Sequence, residues 1–259
     1  MLLLVYEYMP NGSLHSHIFC SPEKTTLDWK LRYKIILVVA SALHYLHNEC
    51  DQRVIHCDLK ASNIMLDSNF NARLGDFGLA RVLDNEKTSY AELKGVPGTV
   101  GYIAPECFHT GKATCESDVY GFGEVLLELV CGQRPWTKVG EFQLLVYWVW
   151  SLHREGRILE AMDKRLENDY VVEEAERLLQ LGLACSHPIA RERPKTAVIL
   201  QILNGSMVVP PFPPFKPPFA WPSMPEPGSI SITTNSMINS ADTTLDVGDL
   251  NEENFQVPK

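Results

Sequence analysis

The chain has no run of apolar residues approaching the roughly 18 that a membrane helix needs, so it offers no segment to span a bilayer. It also lacks a surplus of basic charge. Its 23 Lys and Arg stand against 32 Asp and Glu, and the net charge of -9 argues against a broad nucleic-acid or anionic-membrane surface. No C-x-x-C pair occurs, and the 7 cysteines are odd in number and scattered, which fits reduced thiols in cytosol better than a disulfide framework. The 8 histidines show no ligand-like pairing beyond His15-x-His17, which reads as the solvated face of a helix rather than a zinc site. The apolar start, Met1 to Tyr6, has no basic flank and stops at Glu7, so it reads as a strand rather than a signal peptide. What remains is an ordinary soluble composition, 45% apolar over 259 residues, enough for one large domain or two small ones.

A short apolar stretch, Leu2 to Tyr8, is followed by the turn residues Pro10-Asn11-Gly12-Ser13 and by a helix expected from Leu14. Between Leu27 and Leu46, apolar residues recur at three- and four-residue steps behind Asp28, the pattern of a long, largely buried helix. From about Val54 to Leu83 short apolar runs alternate with polar residues and Gly, as hairpins and catalytic loops do. Further helices are expected over Ser117–Cys131, Phe142–Glu155, Glu173–Ser186 and Lys195–Leu203. Composition changes after Asn204-Gly205. Residues 210 to 227 hold nine prolines and residues 228 to 259 are rich in Ser, Thr, Asn and acids, so the segment from 206 is expected to be a disordered tail. Its Pro211-Phe212-Pro213-Pro214 matches the P-x-x-P pattern of SH3-like ligands, though most such matches are only stiff linkers.

The strongest signal is His56-Cys57-Asp58-Leu59-Lys60-Ala61-Ser62-Asn63, with Asp76-Phe77-Gly78 beginning 18 residues after Asp58 and Ala104-Pro105-Glu106 beyond. Order and spacing together resemble the eukaryotic protein kinase family, with its H-R-D-x-K-x-x-N, D-F-G and A-P-E signatures. The resemblance implies a protein kinase-like fold: a mainly α-helical C-lobe with short β-hairpins, and an N-lobe reduced to the strand entering the hinge. It also implies ATP and Mg²⁺ as cofactors and a protein carrying Ser or Thr as substrate. In that reading residues 1–10 are the last N-lobe strand and hinge, 11–205 the C-lobe, and 206–259 the tail.

Phosphoryl transfer needs an oriented hydroxyl, metal ions across the β- and γ-phosphates and in-line geometry. By resemblance, Asp58 accepts or orients the hydroxyl proton, Lys60 sits near the γ-phosphate, and Asn63 and Asp76 hold Mg²⁺ through hard oxygens. Phe77 and Gly78 complete the metal motif. Glu7 and Met9 resemble the adenine-binding hinge, with Tyr6 as gatekeeper and Leu66 as the floor under the ring. Gly98 and Thr99, with Lys60, look like the serine/threonine subclass. Glu106 resembles the acid that pairs with a buried Arg, here Arg193, whose planar fork suits a carboxylate. Asp118 matches the helix-start acid that braces the catalytic loop. Stretches such as Tyr6-Glu7-Tyr8-Met9-Pro10-Asn11-Gly12-Ser13-Leu14, Gly98-Thr99-Val100-Gly101-Tyr102, Cys131-Gly132-Gln133-Arg134-Pro135 and Phe219-Ala220-Trp221-Pro222 narrow the resemblance to plant receptor-like kinases. They are most similar to the L-type lectin-domain group, and the resemblance covers residues 1 to about 222.

The family's Gly-rich loop, its phosphate-gripping strand lysine and the helix glutamate that pairs with it precede the hinge and are not among these residues. One lost preorganised donor typically costs roughly 2.7 to 4 kcal/mol of transition-state stabilisation. The reading is therefore of a truncated serine/threonine kinase, weak or inactive as given, with a non-catalytic pseudokinase-like module or decoy as the alternative. Such a piece is expected in cytosol, whereas parent proteins of the group sit in the plasma membrane with the kinase facing the cytosol. Cys57 replaces the family's usual Arg, the partner of a phosphorylated activation loop, so Thr88, Ser89 and Tyr90 lose that charge partner. Glu124 puts a carboxylate where the central helix is usually apolar, and the sequence names no partner for it.

Overall fold

The structure is a computed structural model, and it describes residues 7–19, 26–83, 89–92 and 98–218. The expected Leu2–Tyr6 strand, Tyr6, Thr88 and residues 219–259 lie outside them. The described residues form a helical lobe whose strands are all in short antiparallel pairs. No helix among them is long and apolar enough to cross a membrane.

Helix α1 (Leu14–Ile18) buries Leu14 and Ile18, and α2 (Trp29–Asn48) starts where Asp28 accepts a hydrogen bond from the Leu31 N–H at 2.8 Å. That cap satisfies one orphan amide of the first turn. The apolar stripe of α2 places Ile35, Ile36, Val39, Ala40 and Leu43 in the core. Arg32 lies on the same face, fully buried, and spends its fork on the Leu27 and Leu129 carbonyls and on Asp163 at 2.7 Å. A buried guanidinium is tolerable only when its donors are met in this way.

Strand β1 (Arg53–Ile55) pairs with β4 (Arg81–Leu83), and β2 (Ile64–Leu66) pairs with β3 (Ala72–Leu74). These two strand pairs hold the segments Cys57–Asn63 and Gly75–Ala80 between them. Strand β5 (Ala91–Glu92) pairs with β6 (Lys112–Ala113), on either side of α3 (Pro105–Thr110).

The centre of the lobe is α4 (Cys115–Cys131), buried along nearly its whole length. It opens with a capping box in which Thr114 and Ser117 satisfy each other's amides, and ends at Gly132 in the left-handed conformation, φ 65°. Helix α6 (Val172–Cys185) packs along it, and the two backbones approach closely at Gly123. A Cβ there would stand 2.9 Å from the Gly182 carbonyl and 2.6 Å from the Ser186 hydroxyl. Helix α7 (Thr196–Leu203) closes the lobe against α2.

Two expectations change. The helix expected over Phe142–Glu155 is a strand, β8 (Phe142–Leu144), followed by α5 (Leu145–Arg154). Gly140, at φ 60°, turns the chain so that β8 pairs with β7 (Trp136–Val139). The tail expected to be disordered from residue 206 instead lies along the lobe as far as residue 218. Val209 and Phe212 pack on the core, and the Phe212 ring sits 5.2 Å edge-on from Trp150 and 4.7 Å from His153 in a stacked contact. These residues carry apolar surface that the composition of the whole tail conceals.

Candidate active site

The loop from His56 to Asn63 is held from below by α4. Asp118, in the first turn of that helix, accepts hydrogen bonds from the His56 N–H at 2.7 Å and the Cys57 N–H at 2.9 Å, one on each carboxylate oxygen. His47, near the end of α2, bonds the same carboxylate at 2.9 Å. Burial works against a charged imidazole at His47, but the hydrogen bonds and charges of Asp118 and Cys115 outweigh it and raise its pKa to about 9. Cys57 takes a left-handed backbone conformation, φ 66°, and this turns the chain so that Asp58 faces the opposite way. Burial pushes the Cys57 thiol up to about 12, so it stands beside the site as a neutral group.

Three side chains converge on Asp58. Lys60 Nζ lies 2.6 Å from Oδ2 and 2.9 Å from the Thr99 hydroxyl, which itself donates to Asp58 Oδ1 at 3.0 Å. The Asn63 amide donates to the Asp58 carbonyl at 2.9 Å and to its carboxylate at 3.1 Å. Thr99 comes from a loop 41 residues away, beside Gly98, whose φ of 127° is open to few residues other than glycine. Asp58, Lys60, Asn63, Thr99 and Gly98 are therefore brought together.

Asp76 follows on the other side of the loop. His56 Nδ1 accepts from the Asp58 N–H at 3.3 Å, which leaves Nε2 to donate to the Gly75 carbonyl at 3.0 Å and so tie the two motifs. The Phe77 ring lies 4.9 Å from His56 and stays 47% exposed. Asp76 is exposed, in the left-handed conformation at φ 58°, and among the described residues its carboxylate accepts one long bond, 3.4 Å, from Gly78. Both amide protons of Asn63 are spent on Asp58, so its carbonyl oxygen and the Asp76 carboxylate remain as hard oxygen donors. That donor set fits Mg²⁺, which takes one or two protein oxygens and completes its shell with water and phosphate. Among the described residues no cluster of three or more His, Cys, Asp or Glu forms a metal cage of its own.

The expected hinge and floor are placed less simply. Glu7 is exposed and pairs with Arg73 at 3.3 Å, and Met9 is half-buried. Leu66 is 0% exposed and its side chain faces the core, so it does not offer a floor to a ring. The half-buried Met65 faces the other way, within 3.8 Å of where a Cβ on Gly75 would stand, which puts Met65 on the Asp76 side of β2. Strand alternation carries that signal: Ile64 and Leu66 share the core face, and Met65 cannot.

Farther out, Arg193 grips Glu106 with both prongs, at 2.6 and 2.7 Å, while its Nε donates to the His187 carbonyl at 2.7 Å. The pair fixes the end of the loop that begins at Gly98 and touches nothing that reacts. Tyr102 donates to the buried Glu128 at 2.7 Å, an anchor for the same loop that sequence reasoning missed.

Lys60, Thr99 and Asn63 thus meet at the Asp58 carboxylate, and Asp118 braces their loop from the buried helix α4. The protein kinase domain model matches residues 1–201, and the chain belongs to that family. Its similarity within the family is to plant receptor kinases. It is 53% identical over 213 residues to L-type lectin-domain containing receptor kinase IV.2 of Arabidopsis thaliana, a match covering 81% of this chain and 31% of that one. It is 45% identical over 248 residues to the probable L-type lectin-domain containing receptor kinase S.5 of the same plant, covering 92% and 38%. It is 47% identical over 211 residues to L-type lectin-domain containing receptor kinase SIT2 of Oryza sativa subsp. japonica, covering 81% and 31%. The chain thus spans about a third of the length of these relatives.

Proposed function

We propose that these residues form the hydroxyl-orienting and metal-holding half of a serine/threonine protein kinase site. The convergence of Lys60, Thr99 and Asn63 on the Asp58 carboxylate carries the reading. Asp58 holds the hydroxyl of a substrate Ser or Thr and takes its proton as the oxygen attacks the γ-phosphate of ATP. Lys60, between Asp58 and Thr99, is placed to meet negative charge on the transferred group. Mg²⁺, held by the oxygens of Asn63 and Asp76, supplies neutralisation of the β- and γ-phosphates. Glu7 and Met9 offer backbone groups to adenine, and Met65 is better placed than Leu66 to lie beneath the ring.

The similarity to receptor kinases supports a parent protein at the plasma membrane whose kinase domain faces the cytosol. Joining the chain to a protein kinase N-lobe that carries a Gly-rich loop and a strand lysine tests the reading. With Mg²⁺ and ATP the joined protein is expected to make phosphoserine and phosphothreonine and no phosphotyrosine. A folded, ATP-binding chimera that is inert, or that phosphorylates tyrosine, refutes it.

A further inference from the structure

Glu124 sits in the middle of α4, 1% exposed, with Oε1 lacking any hydrogen-bond partner. The buried Ser186 hydroxyl lies beside it. A carboxylate in such a place is costly unless a cation faces it. Lys216 of the tail lines the same cavity as Glu124, its ammonium 3.7 Å from the centroid of the Tyr147 ring on α5, and Tyr120 and Ser186 stand beside the carboxylate. Burial pushes the Glu124 carboxyl up and the Lys216 ammonium down, and each partly offsets the other's shift.

The two groups line one cavity of about 550 Å³, which runs from Glu124 to the loop between Val100 and Pro105. Its rim holds the exposed apolar side chains Val100, Phe108, Trp136 and Tyr147. Contiguous exposed apolar surface beside a charged anchor is the usual composition of a protein-docking face. The tail is seated there by side chains: Phe212 against Trp150 and His153, and Phe215 under Arg154 at 5.6 Å. Among the described residues no backbone hydrogen bond ties residues 208–218 to the lobe. A segment held only by its side chains can be exchanged for another with the same chemistry.

We propose that Glu124, Tyr147 and the adjoining cavity form a lysine-recognising docking site on the substrate-facing side of the lobe. The chain's own Lys216 forms part of its wall as an intramolecular ligand, which a lysine-bearing, proline-flanked segment of another protein displaces. The cation-π contact and the unpartnered carboxylate oxygen select an ammonium group, and the apolar rim selects its neighbours. The site lies away from Asp58 and its operation does not depend on phosphoryl transfer.

The probe is a fluorescent peptide of residues 207–218, with a second in which norleucine replaces the lysine. Binding is read by anisotropy on the full chain and on its Phe212→Ala/Lys216→Ala variant, in which the internal segment is loosened. The variant is expected to bind the lysine peptide at least tenfold more tightly than the unchanged chain and to discriminate against the norleucine peptide by a similar factor. Adding Glu124→Gln abolishes that preference. Equal binding of both peptides, no binding to the loosened variant, or indifference to Glu124→Gln overturns the proposal. Independently of the loosened variant, amine labelling read by mass spectrometry should modify Lys216 at least fivefold faster in Glu124→Gln than in the unchanged chain, and equal rates contradict it.

Discussion

Changing Asp118 to Asn probes the brace beneath the catalytic loop while keeping its shape. The carboxylate accepts from two backbone amides and from His47. An amide side chain has one acceptor oxygen, so one of the two N–H groups is left facing an NH₂, at a cost of about 1–3 kcal/mol at any pH. The second part of the loss depends on pH. His47 is raised from 6.5 to about 9 in the folded chain. A group whose folded pKa is raised adds stability that is complete below its unfolded value and disappears as pH rises through the folded one, here from 6.5 to 9. The raised value corresponds to up to about 3 kcal/mol, most of it owed to Asp118. The variant is therefore expected to be about 5 kcal/mol less stable near pH 6 but only about 2 kcal/mol less stable near pH 9.5. Urea unfolding followed by far-UV circular dichroism at the two pH values measures this. Glu128, pushed up to about 8 by burial, adds a fall in stability with rising pH to both proteins, so the difference between them is the quantity to read. A deficit that stays constant with pH refutes the assigned role of the His47–Asp118 pair.

Arg193→Lys keeps the charge but loses the fork that holds Glu106, and with it the bonds to the His187 and Glu116 carbonyls. The expected loss is about 3 kcal/mol in chemical unfolding, and unchanged stability would show the pair to be dispensable. Gly123→Ala places a methyl group within 2.9 Å of the Gly182 carbonyl, so α4 and α6 must separate. A destabilisation of about 1–3 kcal/mol is expected, seen as a lower Tm, and a neutral result contradicts the close approach. Met65→Ala on the kinase chimera is expected to raise the KM for ATP several-fold while Leu66→Ala chiefly lowers Tm. The reverse pattern would restore Leu66 as the floor.

The family was legible because it is carried by residue identity at long spacing: the motifs around Asp58, Asn63 and Asp76 needed no packing information. Helix α2 was legible too, since an unbroken 3.6-residue stripe behind Asp28 leaves little choice of structure. The β7–β8 hairpin was not, because Phe142–Leu144 continues straight into the amphipathic α5, and the turn that makes it a strand is the positive φ at Gly140 ahead of it. Leu66 was misplaced by one position, which in a strand reverses the face. The tail was averaged with the polar segment that follows it, and this hid the few side chains, Val209, Phe212 and Lys216, that dock. Nothing in the sequence hinted at what shares a cavity with Glu124, because Lys216 lies 92 residues away in a stretch read as structureless.

The central claim is that Asp58 is the group that orients and deprotonates the attacking hydroxyl. Asp58→Asn in the chimera, assayed with saturating Mg²⁺ and ATP, tests it most directly. The account predicts that kcat falls about 10²- to 10⁴-fold while the KM for ATP and the circular dichroism spectrum hold. A variant that keeps its kcat within a fewfold of the parent chimera would contradict it.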